Sequence, residues 1–247
     1  MSRSIWDARR HMEENRINLT TRNSALFDMK NTVVNIVGCG AIGSFTASAL
    51  ARMNVVNFHL YDMDKVGPEN IGVQDFTIYQ LNDRKVDAVR QNILSINPMI
   101  DISIFPREIT EESAWIRTSS YNDGRWNIVV LALDSMEIRK LVTSKIQNSA
   151  NTCVFDARMG SETMQLYKFI ATEGWREEYL KTWYSDEEGD PEPCAARSTS
   201  YCSTFAGSII ASEIKKHVTS GISAHEIVFN FPNLMLDSQT DYSSLNS

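Results

Sequence analysis

The stretch VVNIVGCGAIG over 33–43 constrains this chain more than any other. A β-branched run ends in three glycines spaced GxGxxG, Gly38, Gly40 and Gly43, and SFTASALARM over 44–53 follows with small and apolar residues at helical spacing. Gly38 permits a tight turn, Gly40 lets the backbone approach a phosphate, and Gly43 allows the helix to pack closely on the strand. The N-terminus of that helix then favours an anion. A second strand, NFHLYDMD over 57–64, carries Asp62 nineteen residues beyond Gly43. A carboxylate there is placed to bond ribose hydroxyls. The reading is a nucleotide site; the plainer alternative is a tight strand–helix turn without a ligand.

The alternation continues. RKVDAVRQNILSINP (84–98) reads as a helix closed by Pro98, DISIFPREI (101–109) as a strand, and NIVVLALD (127–134) as a buried parallel strand. SMEIRKLVTSKIQNS (135–149) reads as a helix with Ser135 at its N-cap, and TCVFDARMG (152–160) as another strand. Strands and helices in alternation imply a parallel sheet covered on both faces. Beyond residue 160 the pattern changes. MQLYKFIAT (164–172) reads as a strand that pairs antiparallel, WREEYLKTWY (175–184) as a short helix, STSYCSTFAGSIIASEIKKHV (198–218) as a long helix with small residues on one face, and EIVFNFPNLML (226–236) as a last strand or hairpin. The expected fold class is α/β, a Rossmann-like, doubly wound, mostly parallel sheet with antiparallel C-terminal strands. It comprises a helical segment at 1–30, one domain over 31–236 interrupted by an acidic, proline-bearing loop at 185–197, and a flexible tail at 237–247.

The chain has 247 residues, 43% hydrophobic and 22% charged, with a net charge of −7. The acidic balance argues against a general nucleic-acid binder, which shows a basic face, but leaves room for a locally positive phosphate pocket. The polar N-terminus MSRSIWDARRHMEENR lacks an apolar signal core, and no stretch approaches the roughly 18 apolar residues of a membrane span. None of the four cysteines, Cys39, Cys153, Cys194 and Cys202, forms a CxxC pair, so no zinc site is expected. Cys39 and Cys153 read as buried thiols in strand surroundings. A reducing, cytoplasmic location is the simplest expectation.

Which nucleotide is bound depends on further polar residues. Asp62 and Asp64 form a DxD at the end of the second strand, Asn70 and Gln74 follow in ENIGVQDF, Lys85 opens the next helix, and Asp134 ends the fourth parallel strand. The carboxyl ends of the strands converge on one crevice in a doubly wound sheet. A lysine there suits a polyphosphate, and a carboxylate suits Mg²⁺, which binds through one or two carboxylates plus phosphates. Each residue has a plainer reading. Lys85 could be a solvated charge, Asp134 a helix cap, Asn70 and Gln74 turn residues, and Asp64 a surface acid. His59, inside an apolar strand, reads as packed core.

GCGAIG, YDMDKVGPEN (61–70), Gln74, Lys85 and ALDS (132–135) together resemble the ATP-binding motifs of the ThiF/MoeB/HesA family, which includes the ubiquitin-activating enzymes. The resemblance runs over about residues 20–236. It implies that the glycine loop holds ATP, Asp62 the ribose, Asn70, Gln74 and Lys85 the phosphates, and Asp134 Mg²⁺. It further implies a nucleotidyltransferase that adenylates a carboxylate, the C-terminus of a small protein or peptide, and works as a homodimer. The small residues Ala206, Gly207 and Ser208 could permit close helix packing in such a dimer. The family's N-terminal arginine, often donated by the other subunit, falls on Arg22, with Arg16 second. Cys194 lies in a loop comparable to the crossover loop where family members with thioester or persulfide chemistry place a cysteine, and Arg158 and Arg197 are candidates to bind the incoming carboxylate. The arginine that the family places before the glutamine is Val73 here, and zinc-binding CxxC pairs are missing. Two rival readings remain: a non-catalytic ThiF-like partner subunit, and an NAD-dependent oxidoreductase in which Lys85 and Asp134 are spectators.

Overall fold

The computed structural model describes residues 4–15, 19, 21–22, 24–113, 124–160, 162–187 and 198–240. Its centre is a set of β-branched strands too apolar to face water on either side. β1 (Thr32–Val37) is buried at every position, and β4 (Trp126–Leu131) and β5 (Thr152–Gly160) nearly so. Successive side chains point to opposite faces. Ile128, Val130, Cys153 and Phe155 therefore enter one core, and Val129, Leu131 and Val154 the other. The first core is closed by α2 (Ala41–Arg52), α3 (Lys85–Ile96) and α6 (Ser200–Ser220), the second by α4 (Met136–Lys145) and α5 (Trp175–Lys181).

With β2 (Asn57–Tyr61), β3 (Asp101–Phe105), β6 (Thr163–Ile170), β7 (Glu226–Asn230) and β8 (Met235–Gln239), the sheet has eight strands in the order β3-β2-β1-β4-β5-β6-β7-β8. β1 pairs parallel with β2 and β4, as do β2 with β3 and β4 with β5. The pairs β5–β6, β6–β7 and β7–β8 are antiparallel. The strand order reverses direction between β1 and β4, which opens a crevice at their carboxyl ends. β7 and β8 form the hairpin alternative of the last segment, and β8 continues to Gln239. α1 (Ile5–Glu14) starts with a reciprocal cap between Ser4 and Asp7, buries no residue, and is tied to the end of α3 by an Arg9 Nε bond to the Pro98 carbonyl (2.6 Å).

The small residues of α6 serve packing within the chain. A Cβ added at Gly207 would stand 2.8 Å from the Phe45 carbonyl carbon and the Thr46 nitrogen of α2, and Ala206 is buried. Those two residues let α6 approach α2 closely, so they do not supply the contact between copies expected from the sequence. Ser208 is exposed and bonds the Thr204 carbonyl one turn back (3.0 Å).

His217 lies at the other end of α6, 2% exposed, with neither ring nitrogen hydrogen-bonded. Trp126 and Phe155 pack against it with ring centroids at 4.8 and 6.3 Å. Burial, and then the Lys168 ammonium, push its pKa down to about 4. In the unfolded chain the imidazole takes a proton near pH 6.5. Between those values the unfolded state binds more protons, so stability falls as pH drops through this window, by about 3 kcal/mol at its foot. Urea unfolding between pH 7 and 4 should show this slope in the wild type and a shallower one in His217→Phe. Equal slopes would remove His217 as the cause.

Candidate functional site

The glycine turn divides its three glycines between two tasks. Gly38 has φ +95°, and a Cβ there would overlap the Ala132 carbonyl; a Cβ at Gly43 would overlap the Gly38 carbonyl. Both hydrogens are required by the packing of β1, α2 and the end of β4. Gly40 differs. The nearest atom to a Cβ at Gly40 would be Gln74 Nε2, 3.8 Å away, so the space above it is open. No side chain caps α2, whose first helical bond runs from the Ser44 amide to the Gly40 carbonyl (3.0 Å). The uncapped amides and the open face of Gly40 suit a phosphate.

Asp62 follows β2 directly. Its two carboxylate oxygens accept from the backbone amides of Cys39 (2.7 Å) and Asp64 (2.8 Å). The first bond ties the acid to the middle of the glycine turn. Burial raises its pKa, and the Lys85 charge and the two amides only partly oppose that rise.

Lys85 is 9% exposed, which sets aside its reading as a solvated charge. A short antiparallel bridge between Lys65 and Arg84 and the Lys85 amide bond to the Asp64 carbonyl (2.9 Å) fix the start of α3 beside the end of β2. The Lys85 ammonium then meets Asp64 Oδ2 at 2.8 Å. Burial works against its charge, but the carboxylates of Asp62, Asp64 and Asp134 outweigh burial and hold its pKa above the ordinary lysine value. The fold thus gathers the neighbouring pair Asp62 and Asp64, and Asp134 from far along the chain, around one buried cation.

Asp134 stands exposed just beyond β4. Ser135, not Asp134, caps α4, accepting the Ile138 amide at 3.2 Å. A carboxylate freed from capping at the crevice fits a magnesium ion that takes its other ligands from phosphates and water. Among the described residues no group of three or more His, Cys, Asp or Glu side chains could hold a metal by itself. Asn70 Oδ1 accepts the Gly67 amide (2.9 Å), so its carbonyl end serves the turn. Gln74 reaches over Gly40, and its Oε1 is buried without a hydrogen-bond partner. Arg22 is exposed, and Arg16, Cys194 and Arg197 lie outside the described residues. Cys39 and Cys153 are fully buried, and burial raises both thiols. His59 is buried as expected, with Nδ1 3.0 Å from Asn35 Oδ1.

Arg158 departs from its expected role. Its Nε and Nη2 bond Asp156 Oδ2 (3.0 and 2.7 Å), and Nη1 donates to the Thr182 carbonyl (2.6 Å). The guanidinium also lies over the Tyr167 ring at 4.7 Å. It is committed to Asp156 and is not presented to an incoming carboxylate. Asp156 also pairs with Arg139, which donates further to the carbonyls of Leu131 (3.2 Å), Leu133 and Ala157 (2.9 Å). The buried cluster Arg139–Asp156–Arg158 therefore braces the loop that carries Asp134. A second brace is Asp186, whose carboxylate accepts from Ser135 Oγ (2.8 Å) and the Met136 amide (2.5 Å) at the start of α4. Burial raises the pKa of Asp186, but the Met136 amide, the Ser135 hydroxyl and the Glu137 amide outweigh it and lower the value. None of Arg139, Asp156 and Asp186 was singled out from the sequence. A charge inside the apolar run TCVFDARMG was the visible signal for Asp156.

Comparison with known proteins gives three findings. The ThiF family model matches residues 15–240. Among curated proteins, the chain is 29% identical over 120 residues to ubiquitin-like modifier-activating enzyme 5 of Caenorhabditis elegans, covering 46% of this chain and 29% of that protein. It is 33% identical over 96 residues to tRNA threonylcarbamoyladenosine dehydratase of Bacillus subtilis (strain 168), 38% of each chain. The matched segments thus span well under half of these relatives. Among solved structures, E. coli MccB with ATP superposes with a TM-score of 0.67 at 16% identity, covering 95% of this chain and 77% of that one.

Proposed function

The chain belongs to the ThiF family, and on that premise we propose that it adenylates a carboxylate with ATP and releases pyrophosphate. The observation that carries the reading is Lys85, a buried lysine among Asp62, Asp64 and Asp134, with Asp62 bonded to the Cys39 amide of the glycine turn. Such a constellation has an evident use in polyphosphate chemistry, whereas an NAD-dependent oxidoreductase would leave Lys85 and Asp134 without a task. MccB has been solved with ATP, and that supports the choice of nucleotide. The name of the modifier-activating relative supports the C-terminus of a small protein or peptide as the substrate. The acidic balance of the chain speaks against a nucleic-acid partner.

In this reading the Gly40 backbone and the α2 amides receive phosphate oxygens, and Asp62 orients the ribose. Gln74 and Asn70 donate amide hydrogens to the phosphates. Lys85 leaves Asp64 for the phosphates, whose charge is larger. A carboxylate oxygen of the substrate attacks the α-phosphorus. The bond from that phosphorus to the bridging oxygen breaks, and pyrophosphate carries the electron pair away. Asp134 would hold Mg²⁺, which would supply positive charge against the departing pyrophosphate. The chain's contribution is positioning and electrostatic stabilisation. Arg22 is assigned to the site of a second copy in a homodimer, and Cys194 to taking over the acyl group, its sulfur forming the thioester as the acyl carbon–oxygen bond to the adenylate breaks and AMP leaves with the electron pair.

ATP–pyrophosphate exchange with Mg²⁺ tests the reading, run with a panel of peptide C-termini. Exchange should appear with a matching terminus and fall about 100-fold in Lys85→Met and in Asp134→Ala, the usual loss for one transition-state contact. Exchange that persists in both variants would sink the assignment. One observation favours a second reading: Val73 supplies no guanidinium beside Gln74. A non-catalytic ThiF-like partner subunit would bind ATP weakly or not at all and give no exchange until a larger partner is added.

A further inference from the structure

Asp75, which no motif singles out, is the most firmly tethered residue beside the candidate phosphate site. Ser44 and Ser48 lie one turn apart on α2 and both face it. Ser44 Oγ accepts the Asp75 amide at 3.0 Å, and Ser48 Oγ donates to Asp75 Oδ2. From the other side, Asn92 Nδ2 on α3 donates to the Asp75 carbonyl (2.5 Å). Asn92 is itself held by Gln80 Nε2 (2.9 Å), which also reaches the Ala88 carbonyl (3.1 Å). The amide, the carbonyl and the carboxylate of one residue thus pin the chain between two helices.

The neighbour so fixed is Gln74. Its amide bonds the Asn70 carbonyl (2.9 Å), and its carbonyl accepts the Phe76 amide (2.8 Å). Its side chain extends toward Gly40, with Nε2 at 3.8 Å from the Cβ position of that glycine and Oε1 buried and unpartnered. A flexible glutamine loses rotamer entropy when it is held, and a site group is effective only within a fraction of an ångström of its working place. We propose that Asp75 is a positioning residue: by clamping residues 74–76 between α2 and α3 it sets the Gln74 amide over the glycine turn, where it meets the nucleotide's phosphates. The inference rests on the ATP reading above and deepens it.

The expected effect is selective. Asp75→Ala should raise the Kd for ATP with Mg²⁺ about tenfold, equivalent to one well-placed hydrogen bond, and leave the Kd for adenosine unchanged. Asp75→Asn keeps an acceptor for Ser48 and should restore most of the affinity. In the Gln74→Ala background, Asp75→Ala should add nothing, since the side chain it positions is gone. Thermal unfolding of each variant accompanies the titrations. If Asp75→Ala does not fold, Ser48→Ala removes only the hydroxyl and should show the same selectivity with a smaller shift. Unchanged ATP affinity in Asp75→Ala overturns the proposal. So does an equal loss for ATP and adenosine, or additivity with Gln74→Ala. A wild type that binds no ATP overturns the ATP reading and this proposal together, whereas a Gln74→Ala loss without an Asp75→Ala loss overturns this proposal alone.

Discussion

Asp156→Ala is expected to remove about 3–5 kcal/mol of stability, the usual consequence of leaving buried partners uncompensated. The carboxylate is fully buried and is flanked by two guanidiniums, of Arg139 and Arg158, whose side chains are 3% and 6% exposed. One negative charge among two positive ones is a net cation in the interior. It is tolerable because both guanidiniums also donate to carbonyls, of Leu131, Leu133 and Ala157 for Arg139 and of Thr182 for Arg158. Remove the carboxylate and those carbonyls remain, but two positive charges face each other across a cavity. A loss of this size is a large part of the roughly 5–15 kcal/mol that holds a typical domain together. For a chain of this length it corresponds to a fall in Tm of about 6–20 °C. Asp156→Asn, which keeps the volume and one acceptor, should lose less. Differential scanning calorimetry of the three proteins decides it, and a Tm for Asp156→Ala within two or three degrees of the wild type would refute it. The functional consequence follows from the same contacts, because Arg139 bonds both Leu131 and Leu133 and so fixes the loop that ends in Asp134.

The layered architecture was legible because local and global signals agree. Strands such as NIVVLALD are apolar on both faces, which only a sheet covered twice can bury, and β1 lies parallel between β2 and β4 in such a sheet. The glycine turn and Asp62 were legible because spacing alone carries them. Lys85 was legible as to place but not burial. Its depth depends on the bridge from Lys65 to Arg84 and on Asp64, pairings that no local pattern announces. Arg158 shows the opposite failure. Asp156 and Arg158 are two apart on a strand, and such residues share a face, so their ion pair was available from DAR itself. The small residues of α6 could have served a contact within or between chains. Only the position of Phe45 on α2 decides that Gly207 faces inward. Asp75 was hidden for a related reason: its tethers come from two helices on either side of it in the sequence.

The glycine turn gives the other large expectation, and its force lies in the contrast between neighbouring positions. Gly43→Ala should abolish the native fold or destabilise it by several kcal/mol, since its Cβ would overlap the Gly38 carbonyl, backbone that cannot swing aside. Gly38→Ala should do the same, because φ +95° is strained for alanine and the Cβ would meet the Ala132 carbonyl. Gly40→Ala should leave the fold standing. A Cβ there would meet nothing closer than the Gln74 amide at ordinary contact distance, with no backbone in its way. What the new methyl does occupy is the space a phosphate needs for close approach to the backbone. ATP affinity should therefore fall by at least tenfold in a protein whose unfolding midpoint is close to the wild type, with adenosine affinity less affected. Titration calorimetry and urea unfolding on the same samples separate the two effects. If Gly40→Ala binds ATP as the wild type does, the phosphates do not lie on this turn, and the plain strand–helix reading of the glycines stands. If it unfolds as Gly43→Ala does, Gly40 is structural too, and the open space above it has another cause.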